Sequence, residues 1–222
     1  VTAENDTPTL TGDTSITTDE DVAYTYIFTI GDVEDAAGSL AISWDTSDTS
    51  LLTKAKMILG GSGANRTLTL TPVADRSGSL SFTITVKDSG GLSVTKTVDF
   101  TINAVNDAPV ISTIADRTIN EDTSSGAIGF AISDADSALD SCVVTVNSSN
   151  QSVVEYTSIT LGGSGANRTI TLSPVANSSG DTTIIVTVDD KSGAPNAVST
   201  ASFNVKVNAV NDSPTIDNIA DV

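Results

Sequence analysis

Histidine is missing from the 222-residue chain, and cysteine occurs once, at Cys142. Without an imidazole there is no Ser-His-Asp or Cys-His nucleophile and no histidine zinc site. A single thiol can supply neither a thiolate zinc cage nor an intrachain disulfide. Lys and Arg number 10 against 28 acidic residues, a net charge of −18 at pH 7. Nucleic acid and anionic membrane both need clustered cations, so the balance disfavours them and favours cationic partners. Aromatic residues make up 4% of the chain, too few for the exposed stacking platforms of a sugar site. Long apolar runs are also lacking: Thr182–Val188 falls far short of the roughly 20 residues a membrane helix needs. The first residue is Val1, followed by no basic or apolar leader, so any targeting segment is expected outside this stretch.

What the chain has is internal repetition. The segment Leu59-Gly60-Gly61-Ser62-Gly63-Ala64-Asn65-Arg66-Thr67 recurs unchanged from Leu161 to Thr169, an offset of 102 residues. The same offset carries Phe28 onto Phe130, Ile30 onto Ile132, Asp32 onto Asp134 and Pro72 onto Pro174. A second marker occurs three times, as Asn5-Asp6-Thr7-Pro8, Asn106-Asp107-Ala108-Pro109 and Asn211-Asp212-Ser213-Pro214. A three-residue insertion near Ala194-Pro195-Asn196 accounts for most of the difference in marker spacing. A period near a hundred residues is too long for a solenoid, so each copy is expected to be a domain with its own core. The predicted division is 1–105, 106–210 and, in 211–222, the opening of a third copy, as in a piece of a longer array.

Inside each copy apolar and polar residues alternate. Val22, Tyr24, Tyr26, Phe28 and Ile30 form one predicted inward face, and Leu68 and Leu70 another. Leu80, Phe82, Ile84 and Val86, then Val98, Phe100 and Ile102, continue the pattern. A period of two, bounded by Gly, Asp, Asn and Pro, predicts half-buried antiparallel strands. About seven strands per copy suit an all-β fold of two tandem Greek-key β-sandwiches. Lys96 interrupts the last inward series, which predicts an edge position or a bulge. Cys142 aligns with Leu40 in an alternating run, so a buried, inert thiol is expected.

The acids cluster at strand ends. Glu20, Asp21 and Asp75 lie in the first copy, and Asp134, Asp136 and Asp190 in the second. Loops after alternate strands of a sandwich crowd one pole, and several carboxylates brought close repel one another unless a cation joins them. Ca2+ suits such a site, taking six to eight oxygens in flexible geometry, where Mg2+ demands a tight octahedron. The competing reading is that they are solvated turn residues, since Asp and Asn favour turns anyway.

The Asn-Asp-x-Pro junctions, the pairs Glu20-Asp21 and Glu121-Asp122, and the triplet Asp134-Ala135-Asp136 resemble the calcium signature of cadherin-type repeats. The nearer resemblance is to the bacterial cadherin-like repeat of giant calcium-dependent surface adhesins of the RTX type. It covers both complete copies. It implies extracellular extender modules whose Ca2+-filled junctions rigidify an array in cell adhesion and biofilm formation. It implies no enzyme, a monomeric fragment, and neighbouring repeats of the same chain as partners. Carried over, a central site uses Glu20, Asp75, Asn106, Asp107, Asp134, Asp136 and Asp190. An upstream site uses Asp6, Asp32, Glu34 and Asp88, and a downstream site Glu121 and Asp212. Asn177 replaces Asp75 in the second copy, a departure from strict repetition.

Other motifs fail on residue type. Gly60–Asn65 resembles one calcium β-roll unit, but Asn65 stands where Asp is needed and no neighbouring unit completes it. A tight turn is expected there. Asp134–Asp140 begins like an EF-hand, yet Ala138 and Leu139 occupy a ligand position and the glycine position. A ligand-binding sandwich, recognising a glycan or a second copy, is the rival function. Arg and aromatic hot spots of the kind that reading needs are not evident.

Overall fold

The computed structural model describes residues 4–214, and the expected opening of a third copy lies outside the described residues from 215 onward. The chain divides into two compact units, Val1–Val105 and Asn106–Val222. Among the described residues the regular elements are strands, apart from single 3-10 turns at Lys54–Lys56 and Tyr156–Ser158.

Unit 1 contains β1 (Thr9–Gly12), β2 (Ser15–Asp19), β3 (Tyr24–Gly31), β4 (Ala41–Thr46), β5 (Met57–Ser62), β6 (Asn65–Leu70), β7 (Gly78–Lys87) and β8 (Ser93–Asn103). One sheet runs β1-β3-β6-β5 and the other β2-β8-β7-β4. Neighbours are antiparallel except β2, which lies parallel to β8. The expected first strand is thus split: β1 serves one sheet, and after Asp13 and Thr14 the chain enters the other as β2. That split gives eight strand segments where the sequence pattern suggests about seven.

Unit 2 repeats the plan with β9 (Val110–Ile111), β10 (Arg117–Asn120), β11 (Ile128–Ser133), β12 (Val143–Ser148), β13 (Ile159–Ser164), β14 (Asn167–Leu172), β15 (Gly180–Asp189) and β16 (Val198–Asn208). Its sheets are β9-β11-β14-β13 and β10-β16-β15-β12. Both units are all-β sandwiches of two four-stranded sheets.

The alternation does what its period requires, turning every second side chain inward. Tyr26, Phe28, Leu68, Leu70, Phe82, Ile84, Val98 and Phe100 are buried in the unit 1 core. Phe82 meets both Tyr26 and Phe100 edge-on, at 5.4 and 6.4 Å between ring centroids. Unit 2 fills the matching space with aliphatics around Phe130 and Phe203. Its Thr182, paralleling Leu80, is buried but satisfied, sharing a 2.8 Å hydrogen bond with Ser148 and accepting one from the Asn150 N–H. Cys142 is buried as expected, and burial pushes its thiol pKa up. Val22 departs from its predicted inward face and is 53% exposed. The reason is local: Val22 N–H closes a turn onto Asp19, and β3 starts only at Tyr24. Lys96 sits where β8 is an edge, because β2 covers only Asp99–Asn103.

Candidate cation sites at the strand ends

Each unit gathers its acids at two poles, one where the Asn-Asp-x-Pro marker enters and one at the opposite ends of the strands. At the entry pole of unit 1, Asp32 follows β3 directly. Its Oδ1 accepts the backbone N–H groups of Glu34 and Asp35 at 3.0 and 2.9 Å, an Asx turn that shapes the loop. Its Oδ2 is buried without a hydrogen-bond partner. Asp6 N–H donates to Glu34 Oε2 at 3.1 Å, and the Asn5 amide donates to Asp88 Oδ2 at 3.0 Å. Asp88, after β7 and only 6% exposed, also accepts from the N–H groups of Gly91 and Leu92. The expected upstream residues Asp6, Asp32, Glu34 and Asp88 therefore share one pole.

Unit 2 rebuilds the main bonds of that scaffold. Asp134 Oδ1 accepts from Asp136 N–H and Ser137 N–H at 3.0 and 2.6 Å, and Asp134 Oδ2 is again buried without a partner. Asp107 N–H donates to Asp136 Oδ2 at 2.7 Å, and the Asn106 amide to Asp190 Oδ2 at 3.0 Å. Hydrogen bonds from Ser192 hold the Asp190 carboxyl below the usual carboxylate range, with the Asn106 amide adding to the effect. Five of the seven central-site residues, Asn106, Asp107, Asp134, Asp136 and Asp190, are thus brought together within unit 2.

The other two, Glu20 and Asp75, lie at the far pole of unit 1. Glu20 is 3% exposed; its N–H donates to Asn103 O, and its Oε1 accepts the Val105 N–H at 2.7 Å. Asp75 N–H donates to Asp21 Oδ1 at 3.2 Å, and both residues hold left-handed backbone, with φ of 55° and 61°. At the far pole of unit 2, Glu121 accepts the Val210 N–H at 2.7 Å, and Asn177 N–H donates to Asp122 Oδ1. Asp212, the other downstream residue, is exposed two residues beyond Val210.

Four further polar groups join these scaffolds. Asn5 repeats the role of Asn106 and is legible in the same marker. Asp21 and Asp122 follow the two glutamates. Asn196 exchanges hydrogen bonds with Asn106, donating to its carbonyl and accepting from its amide. It lies in the three-residue insertion, a segment whose sequence signals only a change of loop length.

A neutral turn cluster needs no buried acceptor left empty; a cation-binding cluster does. The partnerless Oδ2 atoms of Asp32 and Asp134, beside acidic neighbours and with neither residue ion-paired to a Lys or Arg among the described residues, fit an oxygen-seeking divalent ion. The residues at these poles supply carboxylate and amide oxygens and no sulfur or imidazole, a donor set suited to Ca2+.

Residues 5–101 match the bacterial Ig domain family. Among solved structures, protocadherin gamma B2 extracellular cadherin domains 3-6 align over 92% of this chain at 14% identity and a TM-score of 0.50. The EC1-4 segment of PcdhgB3 aligns over 92%, also at 14% identity, with a TM-score of 0.52. This chain spans 48% and 50% of those two structures. The titin domains z1z2, solved in complex with telethonin, align over 95% of this chain and all of theirs, at 16% identity and a TM-score of 0.39. Comparison with curated proteins returned no match. No helix among the described residues is long and apolar enough to cross a membrane. The match over residues 5–101 is to a bacterial Ig domain, and both units have the cadherin- and immunoglobulin-like sandwich fold.

Proposed function

We propose that the two units are non-catalytic extender repeats of an extracellular bacterial surface adhesin, and that Ca2+ held at their acidic poles stiffens the array. One observation carries the reading. The same scaffold is built twice, and each copy leaves one carboxylate oxygen buried and without a hydrogen-bond partner, Asp32 Oδ2 in one and Asp134 Oδ2 in the other. An ion that ligates this oxygen and its neighbours removes both the unmet acceptor and the mutual repulsion of the acids. Stiffening through metal also suits a role in adhesion and biofilm formation, because a spacer needs length and rigidity and no catalytic group.

Calcium titration calorimetry on this chain tests the reading, followed by limited proteolysis with and without chelator. Extracellular modules bind at roughly 10⁻⁴ to 10⁻³ M. Calcium at a hundred times Kd adds about 2.7 kcal/mol per site. Calcium heats and faster cleavage in chelator are expected. No binding heat, with identical cleavage in both conditions, would sink the calcium role.

The rival ligand-binding reading has one feature in its favour. An open groove of about 490 Å³ on unit 2 is lined by Asp116, Arg117, Thr183, Asn204 and Lys206, among others. Glycan-array binding that is lost in Lys206→Ala would favour that reading.

A further inference from the structure

The nine-residue segment repeated without change forms the hairpins β5–β6 and β13–β14, and their surroundings differ in a way that bears on the cation sites. In both units the hairpin tip receives the end of the neighbouring strand: Ile30 N–H donates to Ala64 O and Ile132 N–H to Ala166 O, each at 2.9 Å. In both, the acid-bearing loop closes on itself through Ser39 N–H to Ala36 O and Ser141 N–H to Ala138 O. Beyond that the two part. In unit 2, Gly165 N–H donates to Asp140 Oδ1 at 2.7 Å, and Arg168 Nη2 donates to Leu139 O at 2.7 Å. In unit 1 the residue matching Asp140 is Gly38, which has no carboxylate to offer. Arg66 turns back onto its own hairpin, donating to Gly61 O at 3.3 Å.

We infer that the β13–β14 hairpin is a clamp that fixes the Asp134–Asp140 loop before a cation arrives, with Arg168 and Asp140 as positioning residues that tighten Ca2+ binding at the unit 2 entry pole. The inference rests on the calcium reading above. Asp134 and Asp136 sit on this loop, four to six residues before the clamped end. A loop already held loses less conformational freedom when its carboxylates converge on an ion. Groups that orient metal ligands without touching the metal commonly change affinity by 10- to 100-fold. The unit 1 loop lacks both of these ties at its Gly38 end and is held instead nearer its start, where Asp35 accepts from Ser89 N–H and Ser89 Oγ at 2.7 and 3.0 Å.

The test uses this whole chain and Ca2+ alone, read by calorimetry and by amide resonances of both loops. Asp140→Ala and Arg168→Met are expected to weaken binding at the unit 2 pole about tenfold. Asp140→Asn keeps an acceptor for Gly165 N–H, and Arg168→Lys keeps a donor for Leu139 O, so both should restore much of the loss. In chelator, Asp140→Ala should also speed amide exchange at Asp136 and Ser137, a readout independent of metal. Gly38→Asp is the converse variant: Gly38 has open space around its Cβ direction, and Gly63 occupies the place of Gly165. It should tighten binding at the unit 1 pole. If the unaltered chain binds no Ca2+, the calcium reading fails and the inference with it. If it binds, but Asp140→Ala and Gly38→Asp leave both affinities unchanged, the clamp is wrong and the calcium reading stands. If Asp140→Asn loses as much affinity as Asp140→Ala, Asp140 acts by charge and the clamp is likewise overturned.

Discussion

Asp134 has a side chain of two acceptor atoms, and the loop uses only one of them. Without metal the second oxygen is a buried acceptor with no donor, a state that costs about 1–3 kcal/mol. Asp134→Asn keeps the turn-forming oxygen and replaces the other with an amide, relieving repulsion from its acidic neighbours. The variant should therefore melt at the same or a higher temperature in chelator, yet gain much less than the unaltered chain when calcium is added. Paired thermal melts check both signs. Tyr26 shows a different use of burial. Its hydroxyl donates to Asp13 O at 2.7 Å, and burial pushes the phenol up to about 12. An ordinary tyrosine ionises near 10. The folded state therefore holds the proton more tightly than the unfolded one. The resulting stability is whole below about pH 10 and is lost as pH rises toward 12. Tyr26→Phe should cost about 1 kcal/mol at neutral pH. It should also flatten the alkaline loss seen in urea melts, and a phenolate absorbance titration would then lack the step near pH 12.

The hairpins depend on glycine at one particular place. Gly61 and Gly163 hold φ of 77° and 82°, and a Cβ there would meet the Cα of Arg66 or Arg168 at 2.8 or 2.9 Å. Backbone cannot yield as a flexible side chain can, so Gly163→Ala should destabilise unit 2 by about 1–3 kcal/mol. Gly129, in β11, is the contrast: it has ordinary backbone and nothing near its Cβ direction. Gly129→Ala should be neutral or stabilise by up to about 1 kcal/mol, by restricting the unfolded chain. Urea midpoints of the two variants should move apart. The half-edge of β8 is also a property of this level: Lys96 is tolerated there because β2 is too short to cover it.

The two cores share no residue. Leu172, fully buried in unit 2, corresponds to Leu70 in unit 1. Leu172→Ala should cost about 2–5 kcal/mol, through lost burial and the cavity left behind. Hydrogen exchange should then show lost protection across β11–β16 with β3–β8 unchanged. Spread of the effect into unit 1 would contradict two separate cores. The charge of −18 belongs to this scale as well, since it makes the chain as a whole a reservoir for cations.

Periodicity carried most of the architecture. A period of two in side-chain direction is a consequence of strand geometry, so Tyr26, Phe82 and Phe100 could be assigned to a core from spacing alone. An exact copy of nine residues implies a copied hairpin, because a tight turn is decided by its own few residues. The resemblance to cadherin-type repeats grouped Asp6, Asp32, Glu34 and Asp88, and grouped Asn106, Asp107, Asp134, Asp136 and Asp190 with Glu20 and Asp75. Hydrogen bonds gather the first four at one pole of unit 1 and the next five at one pole of unit 2, while Glu20 and Asp75 lie at the other pole of unit 1. Local pattern did not reveal the break of the first strand into β1 and β2, or the exposure of Val22, since both depend on which sheet captures the segment. Nor could it say that Asn196 would bond Asn106 across 90 residues of sequence. The same segment around Arg66 and Arg168 ends in two different hydrogen bonds. Sequence-local forces determine strand, turn and inward face. The partner each carboxylate or guanidinium finds is settled only when sandwich closure brings distant loops together, because a hydrogen bond acts over about 3 Å and cannot be read from spacing along the chain.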